Sequence, residues 1–329
     1  GTVALGIRNV MCTPLNLVRY RDRSDASTGH LPIGVLYLDS REKGSLLSAA
    51  SRSALETVAT EAAAAIESAR LYREEAEKAR LEHELRLAAD IQRALLPDAD
   101  QSGAHFDVAA ASIPCRAIGG DFFDYFHLTG GAFGFALGDV SGKGPPAALL
   151  TAMIHGVFSA QVASGASPAQ LMASVNVSLI RRSIQNRFAT VVYGALSPDG
   201  RLIYSNAGHN PPVLLKRDGV QRLETGGLIV GLFPQAKYDE ETLQLEDGDV
   251  LVVFSDGVTE AFNAAGKEFG ETRLLACLEA NRRCEPGHLL QKVLSCVHEF
   301  TAGAAQSDDV TALALKYKGE GAASAALRT

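Results

Sequence analysis

The chain has 329 residues, 47% apolar and 21% charged, with 31 Gly and 12 Pro, a composition that excludes collagen-like, disordered and low-complexity chains and supplies enough apolar residues for a buried core. Its 31 Lys and Arg against 38 Asp and Glu leave a formal charge of −7, which removes the basic footprint needed to grip nucleic acid or an anionic membrane. The five cysteines, Cys12, Cys115, Cys277, Cys284 and Cys296, are odd in number, nowhere form C-x-x-C and sit among apolar residues, so buried cytosolic thiols are expected.

No apolar run approaches the roughly 18 residues that span a bilayer, and no basic segment followed by an apolar one opens the chain. A soluble, cytoplasmic protein with no nucleic-acid or membrane partner is expected. It begins Gly1-Thr2-Val3-Ala4-Leu5 without an initiator Met, as a piece of a longer protein does. Two short apolar runs, 10–15 and 33–38, flank the polar, turn-rich stretch 22–30 and predict a hairpin or meander. So small a sheet needs a helix to lean on.

That helix is predicted over 48–96, where Ala, Glu, Arg and Leu dominate, Gly is absent and the first Pro is Pro97. Val58, Ala62, Ala65, Ala69, Tyr72, Ala76 and Ala79 follow a 4-3-4-3 spacing, the seam of a coiled coil, which favours self-pairing into a homodimer over a solvated single helix. Outside the seam, Glu74 and Lys78, and Glu82 and Arg86, are spaced for i,i+4 ion pairs. A second stripe, Leu81, Leu85, Ala88, Gln92 and Leu95, is out of phase by two residues, about 200° around the helix. It is expected to dock on the domain that follows.

From 106 to 317 short strand-like runs alternate with helical blocks. Strands are predicted at 107–111, 134–139, 190–196, 202–206, 212–215, 242–245, 250–255 and 310–316, and helices at 144–163, 168–183, 271–280 and 286–301. Turns such as Pro198-Asp199-Gly200 and Asp247-Gly248-Asp249 join successive strands and imply antiparallel sheets, and helices grouped in pairs imply outer layers. The expected fold is α+β, a helix–sheet–sheet–helix sandwich, with segments 1–57, 58–97 (helical linker) and 98–318 and a frayed tail at 319–329. No internal repeat of fixed period is present.

Four aspartates fall where a predicted core strand meets a Gly-rich or acidic turn: Asp121, Asp139, Asp256 and Asp308. Singly, each is better read as a turn or cap residue. Together they would repel unless a cation neutralised them, and an oxygen-only set without clustered His or Cys suits Mg²⁺ or Mn²⁺. Two such ions would polarise a phosphoryl group and activate a water.

The motifs Gly119-Gly120-Asp121-Phe122-Phe123-Asp124, Gly138-Asp139-Val140-Ser141-Gly142-Lys143-Gly144, Asn206-Ala207-Gly208-His209-Asn210-Pro211-Pro212, Ser255-Asp256-Gly257-Val258-Thr259-Glu260 and Asp308-Asp309-Val310-Thr311 resemble, in order and approximate spacing over 85–316, the metal-dependent protein phosphatases of type 2C (PPM) in their bacterial SpoIIE-like branch. The resemblance implies two antiparallel sheets holding two Mg²⁺ or Mn²⁺ ions. It implies Asp139 as the bridging ligand, the carbonyl of Val140 as another, and Asp121, Asp256 and Asp308 completing the set directly or through water. Asp124 and Asp309 are alternatives to Asp121 and Asp308, or supports for them. His209, on a turn expected to be exposed, is a candidate proton donor, substrate contact or loop-ordering residue. The phosphate-binding Arg near the first strand of eukaryotic members is missing here, so substrate phosphate is expected to be held mainly by metal; Arg116 is a weak candidate for that role, better read as a surface residue, and His155 reads as core. Lys143 is followed by Gly rather than Ser or Thr, which removes a Walker loop, and Cys115 lacks C-x5-R, which removes a cysteine-phosphatase mechanism. The front segment, 10–15, 33–39 and the helix from 48, resembles the last strands and exit helix of a GAF sensor domain.

The function implied is hydrolysis of phosphoserine or phosphothreonine on a phosphorylated regulatory protein, by analogy an anti-anti-sigma factor, in bacterial signal transduction. The rivals are a catalytically degenerate sensor or scaffold and a hydrolase of small phosphoesters. All four aspartates being in place favours an enzyme.

Overall fold

The computed structural model describes residues 6–17, 31–42, 48–181 and 187–319; the turn expected at 22–30, the end of the helix expected to reach 183, and the tail beyond 319 lie outside them. The chain forms two compact units, Gly1–Glu84 and Leu85–Thr329.

In the first unit, β1 (Asn9–Leu17) pairs antiparallel with β2 (Leu31–Ser40), and α1 (Ala49–Leu95) begins behind Ser48, whose hydroxyl accepts the Ser51 amide at 3.1 Å as an N-cap. Ala59 and Ala63, one helical turn apart, pack on Leu15, with Ile33, Leu36 and Ala62 beside them. The face turned to the small sheet therefore shares only Ala62 with the expected seam, because alanines let helix and sheet approach closely, while Val58 and Tyr72 stay exposed. Among the described residues, the i,i+4 ion pairs on the helix surface are Arg70–Glu74, Lys78–Glu82 and Arg80–Glu84. Glu74 and Glu82 thus reach back one turn instead of forward to Lys78 and Arg86.

The second unit takes in the end of α1, then β3 (Asp100–Ser102), β4 (Phe106–Ile113), β5 (Phe122–His127), β6 (Phe133–Val140), α2 (Pro145–Ala163), α3 (Pro168–Arg181), β7 (Ala189–Leu196), β8 (Arg201–Ala207), β9 (Val213–Lys216), β10 (Gly219–Arg222), β11 (Gly226–Gly227), β12 (Glu241–Gln244), β13 (Val250–Phe254), α4 (Asp256–Thr259), α5 (Gly270–Asn281), α6 (Pro286–Thr301) and β14 (Val310–Tyr317). One sheet runs β10-β9-β13-β14-β4-β3 and the other β11-β8-β7-β6-β5, with β12 also on β8. Pairing is antiparallel apart from the two-residue β11, parallel to β8.

Three apolar layers follow from the period-two alternation of the strands. Phe123, Tyr125, Phe133, Phe135 and Leu137 meet Val108, Val253, Leu313 and Leu315 between the sheets. The alternate residues, Phe122, Phe126, Ala136 and Val140, pack under Ile154 and Phe158 of α2 and Leu171 and Val175 of α3. Val252, Phe254, Ala312 and Ala314 pack under Leu274 of α5 and Leu289 and Val293 of α6. This is the helix–sheet–sheet–helix sandwich expected.

Two expectations need correction. α2 is 19 residues long and, by length and composition, apolar enough to cross a membrane; Leu150, Ile154 and Phe158 pack on the sheet, while Leu149 is exposed. Of the cysteines only Cys277 is buried; Cys12 is exposed and the others lie between, because a neighbourhood rich in apolar letters still alternates between faces.

Candidate active site

Strand phase decides which side chains reach the gap between the sheets. Asp139 continues the inward-facing series Phe133, Phe135, Leu137 at the end of β6, and Asp121 precedes Phe123 and Tyr125 in the same phase on β5. From the opposite sheet, Asp256 follows β13 and Asp308 precedes β14. The fold thus brings Asp121, Asp139, Asp256 and Asp308 to one end of the sandwich, where Asp256 and Asp308 act on Asp139, and Asp139 on Asp121.

Burial, reinforced by Asp139, holds the Asp121 carboxyl well above the usual range, although the Thr311 and Ser255 hydroxyls offset part of this. Burial and the charges of Asp256 and Asp308 push Asp139 up to about 7. Asp256 is raised by burial and by Asp308, with Gly257 and Lys143 opposing. Oxygen atoms that resist ionisation for lack of a counter-charge are those a hard divalent cation satisfies. A second observation agrees: Asp121 is 7% exposed, and its Oδ2 is buried without a hydrogen-bond partner. The residues present therefore fit Mg²⁺ or Mn²⁺. The backbone fits too, since a Cβ on Gly120 would stand 2.6 Å from the Val140 carbonyl oxygen and 3.1 Å from Asp139 Oδ1, so only glycine leaves that space open.

Asp309 is a supporting residue. Its side chain is buried and accepts the amides of Cys115 and Gly120, both at 2.7 Å, fixing the approach to Asp121. The Gly120 carbonyl in turn accepts the Thr151 hydroxyl at 3.1 Å and the Val140 amide at 3.3 Å. Ser255 accepts the Thr311 amide at 3.0 Å and donates to the Asp309 carbonyl at 3.2 Å, joining the β13 and β14 ends. Cys115, Asp308 and Asp309 offer ligand atoms within 4.8 Å of one another, with the thiol pushed up by burial and by Asp309.

Two candidates fall elsewhere. Asp124 lies three residues from Asp121, so the pleat turns it to the other face, where Oδ2 pairs with His155 Nδ1 at 3.0 Å under α2; it takes no part in the cluster. His209 is 6% exposed, not surface-held, because Asn206 closes the turn by accepting the His209 amide at 2.7 Å and donating to its carbonyl at 3.0 Å. Burial drives the imidazole down to about 4, only partly opposed by the Phe254 backbone, and Nδ1 lies 2.8 Å from the Thr190 hydroxyl. Thr190 is the β7 partner of Asp139, so His209 braces the strand behind the cluster.

Three further contacts involve Lys143, Arg187 and Gln92, of which only Gln92 lies on a feature, the second stripe of α1, that the sequence assigns to docking. Lys143 Nζ is 3.1 Å from Asp308 Oδ2. The Arg187 guanidinium donates to the Ser141 carbonyl at 2.7 Å and occupies the space a Cβ on Gly142 would need; Arg116 is exposed. The third is at the end of α1, where the expected stripe is corrected: Leu81, Leu85 and Leu95 are exposed, and the buried position is Ala89. Ala89 brings the helix close enough for the Gln92 amide to donate to the Gly119 carbonyl at 2.8 Å and accept the Gly119 amide at 3.2 Å, while Leu96 packs on the core. Gln92→Ala is expected to destabilise this unit by ~1–3 kcal/mol, since it leaves both backbone groups of a buried glycine unpaired; an unchanged thermal melt would show the contact to be idle.

A family model described as stage II sporulation protein E (SpoIIE) matches residues 129–318. Phosphoserine phosphatase RsbU of Bacillus subtilis is 31% identical over 183 residues, 55% of this chain and 54% of RsbU. The chain spans about half the length of the curated relatives it matches. Among solved structures, the SiaA-PP2C domain of Pseudomonas aeruginosa superposes with a TM-score of 0.66 at 22% identity, covering 74% of this chain and 99% of that one. RsbX, solved in complex with magnesium, gives 0.52 at 15% identity, covering 67% and 98%. These structures share the fold described above.

Proposed function

Because the chain belongs to the SpoIIE family, we propose that it is a metal-dependent protein phosphatase acting on phosphoserine or phosphothreonine of a regulatory protein in a cytoplasmic signalling pathway. The observation that carries this is the buried, mutually perturbed set Asp121, Asp139 and Asp256 beside Asp308, whose orphaned Asp121 oxygen wants a cation. Asp139, which meets the charges of Asp256, Asp308 and Asp309 from the opposite sheet, would be the ligand shared by two ions in this reading; the Val140 carbonyl, Asp121, Asp256 and Asp308 would complete the set. Bound there, Mg²⁺ or Mn²⁺ supplies Lewis-acid polarisation of the phosphoryl oxygens and activation of a water.

The chain's own residues orient and shield that chemistry. Asp309 and Thr151 hold Gly120 in place, and Lys143, beside Asp308 at the cluster edge, offers the substrate phosphate a cation. Neutral, buried His209 is a brace and not a proton donor to the leaving group. The test is turnover of a phosphoserine peptide and of p-nitrophenyl phosphate with Mn²⁺ and with EDTA. Hydrolysis of both that disappears in chelator is expected; full activity after exhaustive chelation overturns the reading.

The first unit is proposed to be the end of a GAF-like sensor feeding a coiled-coil linker. Support comes from the β1–β2 pair leaning on α1 and from uncovered Val58 and Tyr72 in phase with the alanines. Sedimentation as a homodimer that Val58→Glu dissociates is the expected behaviour.

A further inference from the structure

The carboxylate cluster has a neighbour that the chemistry above does not use. A cavity of about 170 Å³ shares Asp308 and Gly257 with the site. Val297 and Leu294 of α6 and Val310 of β14 form its apolar wall. Two large apolar side chains at its edge are left to solvent, Ile113 (44% exposed) and Phe262 (39%). The rim is pinned: Gln306 donates to the Ile113 carbonyl at 2.8 Å and to the Asp308 carbonyl at 2.7 Å, and Lys143 holds the Asp308 carboxylate. The cavity is thus preformed, apolar within and polar at the lip, the usual character of a recognition pocket.

We propose that this cavity receives one apolar side chain of the phosphorylated protein, a Leu, Met or Phe within a few residues of its phosphoserine. The inference rests on the phosphatase reading and adds the substrate's sequence preference to it. Size selects a single side chain, since an apolar cavity of ~150 Å³ holds a benzene ring and a helix face needs a far longer groove. Continuity with the cluster selects the occupant. Asp308 belongs to both, so a ligand whose phosphate lies at the carboxylates reaches the cavity with a few extended residues at ~3.3 Å each. A small phosphoester has nothing to place there, whereas a peptide does.

The test is a panel of phosphoserine peptides in which each flanking position carries Leu or Ser in turn, assayed on the full chain with Mn²⁺. Turnover of p-nitrophenyl phosphate on the same preparation counts competent sites. At one position kcat/KM is expected to favour Leu by at least ~10-fold, the size of a filled hydrophobic pocket. Ala305→Trp, which projects from an exposed position of the rim into the cavity, is expected to bring that ratio to about 1. Phe262→Asp, at another lining position, is the second variant and decides the matter should the first fail to fold. A wild-type chain that hydrolyses every peptide without preference overturns the pocket and leaves the phosphatase intact, as does a preference that survives in the folded variants. A shift of sedimentation mass in the variants with selectivity unchanged assigns the cavity to a second copy of the chain and likewise overturns it. A wild-type chain that hydrolyses neither peptide nor p-nitrophenyl phosphate defeats the phosphatase reading itself.

Discussion

Asp139→Asn is expected to lower phosphatase turnover by ~10³-fold or more while raising the melting temperature of the metal-free chain. Both effects have one cause. Asp139 sits among Asp121, Asp256, Asp308 and Asp309 in a site where burial and the charges of Asp256 and Asp308 push its carboxyl upward, so without a cation its charge works against the fold. An amide keeps the shape, removes the charge and offers a poorer metal ligand. The stability gain in EDTA at neutral pH is roughly 1–4 kcal/mol, read from a thermal melt, and the loss of turnover is read with p-nitrophenyl phosphate and Mn²⁺. Near-wild-type turnover with unchanged metal affinity would contradict the placing of Asp139 at the centre of the cluster.

The stabilisation the chain gains from Mn²⁺ is expected to shrink as the pH falls from about 8 to about 5.5. Asp139 titrates at about 7 in the folded chain against 3.8 unfolded. In that window the metal-free fold holds a proton the unfolded chain does not, and this group's contribution to stability is lost as pH rises through 7. A cation must displace that proton, so its effect is largest in the alkaline part of the range. His209, lowered to about 4, has the opposite sign: its contribution is lost as pH falls from 6.5 toward 4. It acts on metal-free and metal-loaded protein alike and cancels in the difference between their melts. A gain from Mn²⁺ that stays constant across the range would show that no proton is displaced on binding.

Much of this arrangement was legible in the chain because glycine and aspartate punctuate the strand ends. The runs 134–139, 190–196, 202–206, 250–255 and 310–316 alternate or fill with apolar residues, and each recurs within a residue or two as an observed strand. β5 was missed because Phe122 and Phe126 face one layer and Phe123 and Tyr125 the other; with both faces buried, the alternation that signals a strand vanishes. Once β5 is known, the exclusion of Asp124 follows from counting, since residues 121 and 124 cannot share a face of an extended chain. The docking of α1 was legible only in part, since Gln92 lies on the expected stripe and Ala89 does not. Leucines drew attention to Leu81, Leu85 and Leu95, which remain exposed, while the contact is made by an alanine and a glutamine amide on a glycine backbone. Hydropathy does not register hydrogen bonds of that kind. The burial of His209 depends on the Asn206 side chain folding its own turn inward, a local bond that an expectation of exposed loops passes over.

The place of β14 carries a consequence for the order in which the molecule is made. This strand, the last among the described residues, lies between β4, near the unit's beginning, and β13, and Asp309 just before it grips the amides of Cys115 and Gly120 across separations of 194 and 189 residues. A polypeptide emerging from the ribosome cannot close the loop that presents Asp121 until Asp308, Asp309 and β14 have themselves been synthesised. Contacts of such sequence separation form late and slowly. An unfinished chain therefore holds Asp121 and Asp139 without their opposing half until translation has passed β14.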